Sequence, residues 1–516
     1  MTGGMFLNLM GVQNLASAFR HIQSGLEAGP DEVSWVITSF LIAEVVMLAV
    51  SGWLLRVLSI RWMFTMCAGG FTVGSVLCAL AWDINSMVAF RAVQGLFGGG
   101  IMPCVFSVMF THFRPEARDR VSMMVGLFAT AASALGPLLG GYIAETLSWR
   151  WIFLSNVPFG VAVTLLGATL GRYDSPETGL WKTADLPGIV LAMLVLGPGL
   201  IVLEEGRRAD WFASDLIMSL TAVSALALVL FLIRELTCKN PVVDLSVFKT
   251  RNFALGSAVV FCWGVVLFAP SYLLPVFLAR VRLLDSIVIG QMVFVLGVGQ
   301  FLSGFLTLAL FRIWPRRIVA LVGIMVMGTG TIMQGFMFAG PGFWDVFPAQ
   351  TVRGLAAQLT FLPILNLALG YLGPDRIKNA SGLFNLIMRL GAAVGIGGMN
   401  SILEARIQHH YTHLSDVARN STTVAHDWMR MLYHGLEPVV SDSFAAVRGT
   451  ASYIYLVAER EAIVLAFNES MLGLGGLMLL LAPSVLFLKS IAALQRTRQP
   501  GPRRGVGAAP RPAGPD

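Results

Sequence analysis

Apolar segments of about twenty residues follow one another along almost the whole chain, and short polar stretches separate them. A helix of about twenty apolar residues is long enough to cross the hydrocarbon core of a bilayer. The pattern therefore predicts roughly fourteen membrane-spanning helices and an all-α fold. The predicted spans are 4–19, 33–55, 63–82, 87–110, 121–144, 152–170, 186–203, 216–233, 253–278, 288–311, 318–338, 346–372, 381–403 and 471–488.

The composition supports a polytopic membrane protein. The chain has 516 residues, of which 56% are hydrophobic and 13% are charged, whereas about a quarter of the residues of a soluble domain are charged. The net charge of +7 comes from basic residues in alternate polar segments. This is the pattern of cytoplasmic loops, so both chain ends are predicted to be cytoplasmic and no nucleic-acid partner is expected. Basic residues of these segments include Arg56, Arg61, Arg114, Arg118, Arg120, Arg234, Lys239, Arg312, Arg316, Arg317, Arg376 and Lys378.

An internal repeat relates the two ends of the chain. Three residues of the first part recur in the second part at one constant spacing, the distance from Pro115 to Pro374. The same spacing without a gap is expected for duplicated halves of a transporter, although chance is an alternative because these residue types are common. The matched pairs are Pro115 and Pro374, Ser122 and Ser381, and Gly136 and Gly395.

The most specific motif is the run Gly136-Pro137-Leu138-Leu139-Gly140-Gly141 in the fifth predicted span. Glycine and proline are poor residues for the interior of a soluble helix. In a membrane helix they are tolerated, and small residues let two helices approach closely. The cluster Trp149-Arg150-Trp151 follows and is typical of a bilayer interface. Gly136, Pro137, Gly140 and Gly141 are therefore predicted to form a moving part of a helix bundle.

This run and the turn after it resemble the fifth-helix motif of drug/proton antiporters of the major facilitator superfamily, in the fourteen-helix group typified by EmrB and QacA. The resemblance extends over nearly the whole chain. It implies two six-helix bundles around a central cavity, two extra helices, and alternating access driven by the proton gradient without a cofactor. It also implies efflux of hydrophobic or amphipathic compounds across a bacterial cytoplasmic membrane. In bacteria with two membranes it implies a periplasmic adaptor and an outer-membrane channel as partners.

The resemblance and the repeat together predict the domain organisation. Residues 1–171 and 251–488 are expected to form the two bundles, with two extra helices and a linker in 172–250. The second bundle would contain an external loop at 404–469, which is polar with scattered aromatic residues. The segment 489–516 is rich in Pro, Gly and Arg and is predicted to be a disordered cytoplasmic tail.

Ionisable residues inside predicted spans are the first candidates for proton coupling, because placing them in a membrane is costly. Arg91 lies in a segment that resembles the fourth-helix motif, and the alternative is that it only anchors its helix at the interface. Glu44 lies near the middle of the second span, with Arg91 as the candidate to offset its charge. Alternatives for Glu44 are a permanently neutral group or an attractor of cationic drugs. Glu204 ends the seventh span and is a third candidate, with a solvated helix end as its alternative.

Other polar residues in the spans are candidates for the substrate cavity. Gln94 lies one helical turn after Arg91, and Asn366 and Asn385 lie in spans twelve and thirteen. These amides either line a substrate path or bridge helices. Arg353 matches the family pattern, whereas Arg389 lies one position later than the family arginine, so its role is left open.

The turn after the second span resembles the gating motif of the superfamily only in part. Gly52 is present, as is Gly95 of the fourth-helix motif, and both are predicted conformational residues. The acidic residue and the second glycine of the gating motif are absent, with Arg56 and Ser59 near their places. Gly11 falls where the first-helix aspartate of the family usually lies, so Glu44 is the candidate to replace it as the proton carrier.

Several other functions lack support in the sequence. There is no phosphate-binding loop, no Ser/His/Asp signature and no His-Glu-x-x-His helix. The cluster from His409 to His413 has no second ligand group nearby, so a solvated helix face or a contact with a partner is favoured over a metal site. The five cysteines lie in apolar spans or a cytoplasmic loop, so no structural disulfide is expected. The alternatives to drug efflux are a dedicated exporter or importer of one metabolite and, from another class, a membrane enzyme or scaffold.

Overall fold

The structure is a computed structural model that describes residues 1–170, 174, 176–177, 179, 185–238, 241–420, 431 and 443–488. Helices account for almost all of these residues, and no strand occurs among them. The all-α class predicted from the sequence is therefore confirmed. The helices are α1 (Thr2–Gly25), α2 (Pro30–Ala79), α3 (Ile84–Gly99), α4 (Ile101–His112), α5 (Pro115–Thr146), α6 (Trp149–Leu154), α7 (Asn156–Leu170), α8 (Leu186–Glu205), α9 (Asp215–Thr237), α10 (Arg251–Arg282), α11 (Ser286–Phe311), α12 (Arg316–Met333), α13 (Phe343–Leu369), α14 (Pro374–Asn420) and α15 (Ser443–Leu481).

Twelve spans of the described residues are long and apolar enough to cross a membrane. Two differences separate this number from the predicted fourteen. First, α2 carries two predicted spans in one helix that breaks at Ser59, where the backbone is not helical. Second, α1 holds the first predicted span but is not among the twelve, and Asn8, Gln13 and Asn14 interrupt its apolar sequence.

The helices form two halves with a helix pair beside them. The first half is α1–α7, in which α1 packs on α5 and α2 packs on α3. The second half is α10–α15, in which α10 packs on α14 and α13 packs on α11 and α12. The halves meet along two seams: in the first seam α14 contacts α2 and α4, and in the second seam α5 contacts α11 and α13. Arg118, Arg316 and Lys378 lie at one end of these seams, which is called the basic end below.

The predicted extra helices, α8 and α9, lie against the first seam. α8 packs on α2 and also on α14, so it touches both halves. The approach to α14 is close, because a side chain added at Gly397 would meet the backbone of Leu203. α9 packs mainly on α8, and many of its large apolar side chains are exposed, as expected for a helix that faces lipid. α8 therefore covers the line along which α2 and α14 meet.

The glycines of the fifth-span motif bring α5 against α1. A Cβ atom at Gly140 would collide with the main chain of Asn14, and one at Gly136 would collide with Gln13. With its amide nitrogen facing α5, Asn14 donates a hydrogen bond of 2.7 Å to the carbonyl of Gly136. Gly395, the repeat partner of Gly136, lies equally close to the backbone of α10, the first helix of the second half. Pro137 and Gly141 belong to the same helix, α5.

The predicted external loop at 404–469 is helical on both sides. α14 continues to Asn420 and α15 starts at Ser443, so both helices extend far beyond their predicted spans. The two extensions are joined because Arg406 pairs with Glu469 at 2.6 Å and His410 lies 3.1 Å from the same carboxylate. The polar composition predicted a loop, and these contacts between helices explain why much of it is helix instead. The tail 489–516 lies outside the described residues.

Candidate functional site

A buried ion pair joins the two halves at the first seam. Glu44 lies on the arm of α2 before its break, and Arg389 lies on α14. The Arg389 guanidinium donates to Glu44 Oε1 at 2.8 Å, and the two side chains are 15% and 3% exposed. Asn8 of α1 donates to the same oxygen at 3.3 Å. The carboxylate of Glu44 on α2 therefore contacts two other helices, α1 of its own half and α14 of the second half.

The second oxygen of this carboxylate has no hydrogen-bond partner. Glu44 Oε2 is buried without one in the described structure, as is the amide oxygen of Asn8. Buried charge is unfavourable unless it is paired and hydrogen-bonded, and this carboxylate is hydrogen-bonded through one oxygen only. The arrangement thus places a partly satisfied carboxylate at a contact between the halves.

Arg91 makes its hydrogen bonds elsewhere than to Glu44, and a part of Arg91 in offsetting the charge of Glu44 stays a prediction. Its Nε donates to the carbonyl of Val36 at 3.1 Å, and a terminal nitrogen donates to Gln94 Oε1 at 2.6 Å. The guanidinium also lies over the ring of Phe40, 4.3 Å from its centroid. Arg91 is fully buried, which excludes the alternative of a side chain that reaches the interface. Both hydrogen-bond acceptors of Arg91 belong to the first half. A role of Arg91 in proton coupling stays a prediction.

Arg353 forms a similar buried network in the second half. Its guanidinium donates to the amide oxygens of Gln334 and Gln350, each at 2.9 Å, and to the carbonyl of Leu267 at 3.2 Å. Gln350 lies one turn before Arg353, whereas Gln94 lies one turn after Arg91. Each half therefore contains an arginine fixed by glutamine on its own helix.

Glu204 lies at the end of α8 against the same arm of α2. The hydroxyl of Thr38 donates to its carboxylate at 2.6 Å. Thr38 precedes Glu44 on this arm, so one helix arm carries a contact to α8 and the ion pair to α14. Because of this contact, Glu204 does not lie at a freely solvated helix end, which was the alternative for this residue. Proton carriage by Glu204 stays a prediction.

The polar residues predicted for the cavity lie buried in helix contacts. Asn366 donates to Ser122 across the second seam at 3.5 Å, and Ser107 and Ser381 hydrogen-bond across the first seam at 3.0 Å. The repeat spacing relates Ser107 to Asn366 and Ser122 to Ser381, so the two bonds are equivalent. Asn385 donates to the carbonyl of Ser381 at 2.9 Å. Asn366 bridges two helices here, whereas the hydrogen bond of Asn385 stays within α14, and substrate contact stays a prediction for both residues and for Gln94.

Glycines allow the helices around the site to approach closely. A Cβ atom at Gly52 would collide with Asn379 of α14, and one at Gly382 of α14 would collide with Ser51. The first seam therefore depends on a glycine from each half. Gly95 plays a local part, because a Cβ atom there would meet the backbone of Phe40 on α2.

An aromatic cluster between the halves has no signal in the sequence. The rings of Trp263 and Phe361 stack with their centroids 4.9 Å apart. Phe106 of the first half and Phe384 each lie 6.4 Å from Phe361. Four different helices supply these rings, which is why periodicity along one helix does not reveal the cluster. The indole nitrogen of Trp263 is buried without a hydrogen-bond partner in the described structure.

Ion pairs hold the halves together at the basic end. Arg316 of α12 binds both carboxylate oxygens of Asp119 on α5, at 3.1 and 2.7 Å. Arg118 of α5 donates to the carbonyl of Gly370 at 2.9 Å. Lys378 of α14 pairs with Asp174 at 2.5 Å. The structure is thus closed across this end by contacts that any opening there must break.

Metal-binding and redox chemistry have no candidate centre in the part of the chain that is described. Among those residues there is no group of three or more His, Cys, Asp or Glu side chains that could hold a metal ion. The cysteines are free thiols. The candidate site is therefore the ion pair of Glu44 and Arg389 with the aromatic cluster between the halves.

Comparison with known proteins identifies the family. The model of the Major Facilitator Superfamily matches residues 1–396. The chain is 30% identical over 488 residues to the colistin resistance protein EmrB of Acinetobacter baumannii, with 95% of each chain covered. It is 30% identical over 403 residues to the multidrug export protein EmrB of Escherichia coli, with 77% of each covered. The fatty acid resistance protein FarB of Neisseria gonorrhoeae is 27% identical over 472 residues, covering 91% of this chain and 90% of FarB.

Solved structures support the same fold. The human organic anion transporter MFSD10 superposes with a TM-score of 0.57 at 15% identity, covering 93% of this chain and 97% of that protein. The proton:xylose symporter XylE superposes with a TM-score of 0.55 at 14% identity, covering 90% of this chain and 92% of XylE. At this level of identity the likeness concerns the fold alone.

Proposed function

The chain belongs to the major facilitator superfamily, and on that premise we propose that it exports hydrophobic or amphipathic compounds across the cytoplasmic membrane in exchange for protons. Its relatives in three bacterial species are named for resistance or multidrug export. The protein is a multi-pass membrane transporter by its family and its helices. The basic end would face the cytoplasm, because basic residues collect on that side of a membrane.

The observation that carries the proposal is the ion pair between Glu44 and Arg389. It joins the halves inside the membrane, where a carboxylate that gains and loses a proton changes the interaction between them. While Glu44 is ionised, the attraction to Arg389 favours contact along the first seam. Once a proton occupies the carboxyl group, that attraction falls and the seam is easier to open. Alternating access needs such a link between proton occupancy and the arrangement of the halves.

The aromatic cluster would supply the substrate surface. Rings from both halves meet around Phe361, so a compound bound there would contact each half. Aromatic faces bind many flat or apolar molecules without fixed hydrogen-bond geometry. The unpartnered indole nitrogen of Trp263 adds one donor for a polar group. Loose selectivity for amphipathic compounds follows from such a surface.

A dedicated exporter or importer of one metabolite is the second candidate. The fold does not decide between them, since a proton:xylose symporter shares it. The names of the bacterial relatives favour export of several unrelated compounds. Competition between unrelated drugs for uptake into inverted vesicles would separate the two functions, because a dedicated transporter would show no such competition.

We also propose a location and partners for the transporter. The location is the cytoplasmic membrane of a bacterium, with both chain ends in the cytoplasm. The extensions of α14 and α15, joined by Arg406 and Glu469, would then project outside the cytoplasm. They would offer a docking surface for a periplasmic adaptor, which would lead to an outer-membrane channel. Cross-linking of these extensions to a co-expressed adaptor would test this part of the proposal.

Proton release from purified protein in proteoliposomes tests the function. A pH gradient is imposed, a pH-sensitive dye reports protons, and ethidium is added as substrate to wild type and to Glu44→Gln. Glu459→Gln is the matched control, since Glu459 lies exposed on α15. We expect ethidium-dependent proton flux in wild type and in the control and its loss in Glu44→Gln. Wild-type flux in Glu44→Gln would remove Glu44 as the proton carrier, and absence of flux in wild type would contradict drug/proton exchange.

A further inference from the structure

The turn in α2 lacks the acidic residue that its resemblance to a gating motif would require. Ser59 breaks the helix there with φ 74° and ψ 157°, a conformation that serine rarely adopts. Arg56 and Ser59 stand near the places of the missing acid and glycine. The turn lies beside the start of α14. It has no carboxylate of its own with which to bind the second half, so such a carboxylate must come from another part of the chain.

Two residues after α7, Asp174 and Glu177, bind the broken turn. In an unbroken helix, the N–H of Ile60 would donate to the carbonyl of Arg56. Here the N–H of Ile60 donates to Asp174 Oδ1 at 2.9 Å, and the carbonyl of Arg56 accepts from the backbone N–H of Glu177 at 3.0 Å. Two groups freed by the break are thus both satisfied by one short segment.

The second oxygen of Asp174 reaches the other half. Asp174 Oδ2 lies 2.5 Å from the ammonium of Lys378 on α14, and the two side chains are 17% and 11% exposed. An ion pair this shielded is screened less than a surface pair. One carboxylate therefore binds the first half through a backbone N–H and the second half through a charge.

We propose that Asp174 is the gating acid of this transporter, supplied by the segment between α7 and α8 instead of by the turn of α2. It positions Lys378 against the first half while the basic end is closed, and the pair must separate when that end opens. The inference rests on the proposed function for its role in transport. The latch itself is a property of the two halves and is measurable without substrate.

The second seam supports this assignment. There Asp119 of α5 binds Arg316, which begins α12. An acid of the first half and a base of the second half again meet at the basic end. The repeat spacing relates Asp119 of the first half to Lys378 of the second half, so the equivalent positions carry opposite charges. Asp119 pairs with Arg316 at the second seam, and Asp174 pairs with Lys378 at the first.

Distances between spin labels test the latch without any transport assay. Labels are placed on cysteines introduced at Arg114 and Ile313, which are exposed at the basic end in different halves. Native Cys238 and Cys262 are half-buried and are replaced by serine, while the three fully buried cysteines stay. Double electron–electron resonance is then recorded for the full-length chain and its variants.

Lys378→Met removes the charge and keeps the bond from Ile60 to Asp174, and Lys378→Arg is the conservative variant. Lys249→Met is the matched control, because Lys249 is an exposed lysine of the linker before α10. We expect Lys378→Met and Asp174→Asn to add a longer distance population that is minor in wild type. Lys378→Arg should restore the wild-type distribution. Unchanged distances in both charge-removing variants would overturn the latch.

A cross-link gives the functional readout. Asp174→Cys and Lys378→Cys are combined and joined by a short bifunctional methanethiosulfonate. We expect ethidium-dependent proton flux to fall at least tenfold and to return after reduction. Flux at the wild-type rate in fully cross-linked protein would overturn the gating role. If wild type shows no flux with any drug, the proposed function fails while the spin-label distances still decide the latch.

Discussion

Glu44 of α2 and Arg389 of α14 lie 2.8 Å apart across the two halves, although 345 positions separate them in the chain. Glu44 is buried and Arg389 is mostly shielded from solvent, so each would lack a compensating charge without the other. The pair is therefore one of the contacts that join the halves along the seam between α2 and α14. A link between the protonation of Glu44 and this contact is part of the proposed function.

Energetic coupling between these two residues is the first prediction. Arg389→Met leaves Glu44 buried without its partner, so we expect unfolding to be easier by about 3–5 kcal/mol. Adding Glu44→Gln should recover most of that loss, because no isolated charge is left. Thermal unfolding of wild type, the two single variants and the double variant in detergent gives the coupling energy between the two residues. The control is the same double-mutant cycle on Arg280 and Glu404, an ion pair at 2.6 Å whose side chains are more exposed. We expect its coupling energy to be at most about 1 kcal/mol. Additive effects of Arg389→Met and Glu44→Gln would contradict the pairing.

The sequence singled out ionisable residues inside the spans, but it did not show which of them meet. Glu44 stood out because a carboxyl group in an apolar span is costly, and this argument needs only local composition. Its ion pair with Arg389 was not predicted, because the approach of α14 to α2 depends on the packing of distant helices. The role of Arg389 was left open because this residue lies one position later than the family arginine. Asp174 lies in a polar segment where an aspartate is ordinary, so no local signal marks its position between the halves.

The broken turn of α2 gives the second prediction. Ser59 has φ 74°, where a side chain is strained and glycine is not. We expect Ser59→Gly to stabilise the protein by about 1 kcal/mol, because relief of strain exceeds the flexibility that glycine adds to the unfolded chain. Ser59→Ala keeps the Cβ atom and should give no gain. Melting temperatures of both variants check this, and an equal response to glycine and alanine would argue against backbone strain at this turn.

Arg91 gives the third prediction, because its guanidinium uses two separate nitrogens. One donates to Val36 at 3.1 Å and another to Gln94 at 2.6 Å. Lysine is a single point charge that cannot hold both acceptors in this geometry. We expect Arg91→Lys to destabilise the protein by about 1–3 kcal/mol through a buried acceptor left unsatisfied. Arg317→Lys, at an exposed position one residue after the start of α12, should stay within about 0.5 kcal/mol of wild type. Tryptophan fluorescence monitors the thermal unfolding of both variants. Similar melting temperatures would show that the two hydrogen bonds of the Arg91 guanidinium are dispensable.

The approach of α5 to α1 gives the fourth prediction. A Cβ atom at Gly140 would fall on the main chain of Asn14, which cannot rotate away as a side chain would. Gly140→Ala must therefore push the two helices apart, and we expect a loss of about 1–3 kcal/mol from this overpacking. Gly290→Ala makes the same chemical change in α11, where no atom lies within 4 Å of the added Cβ. There the better helix propensity of alanine should leave stability unchanged or raise it by up to about 1 kcal/mol. Melting temperatures and ethidium-dependent proton flux are compared for both variants. If Gly140→Ala melts and transports as Gly290→Ala does, the close contact of α5 with α1 is not what the motif provides.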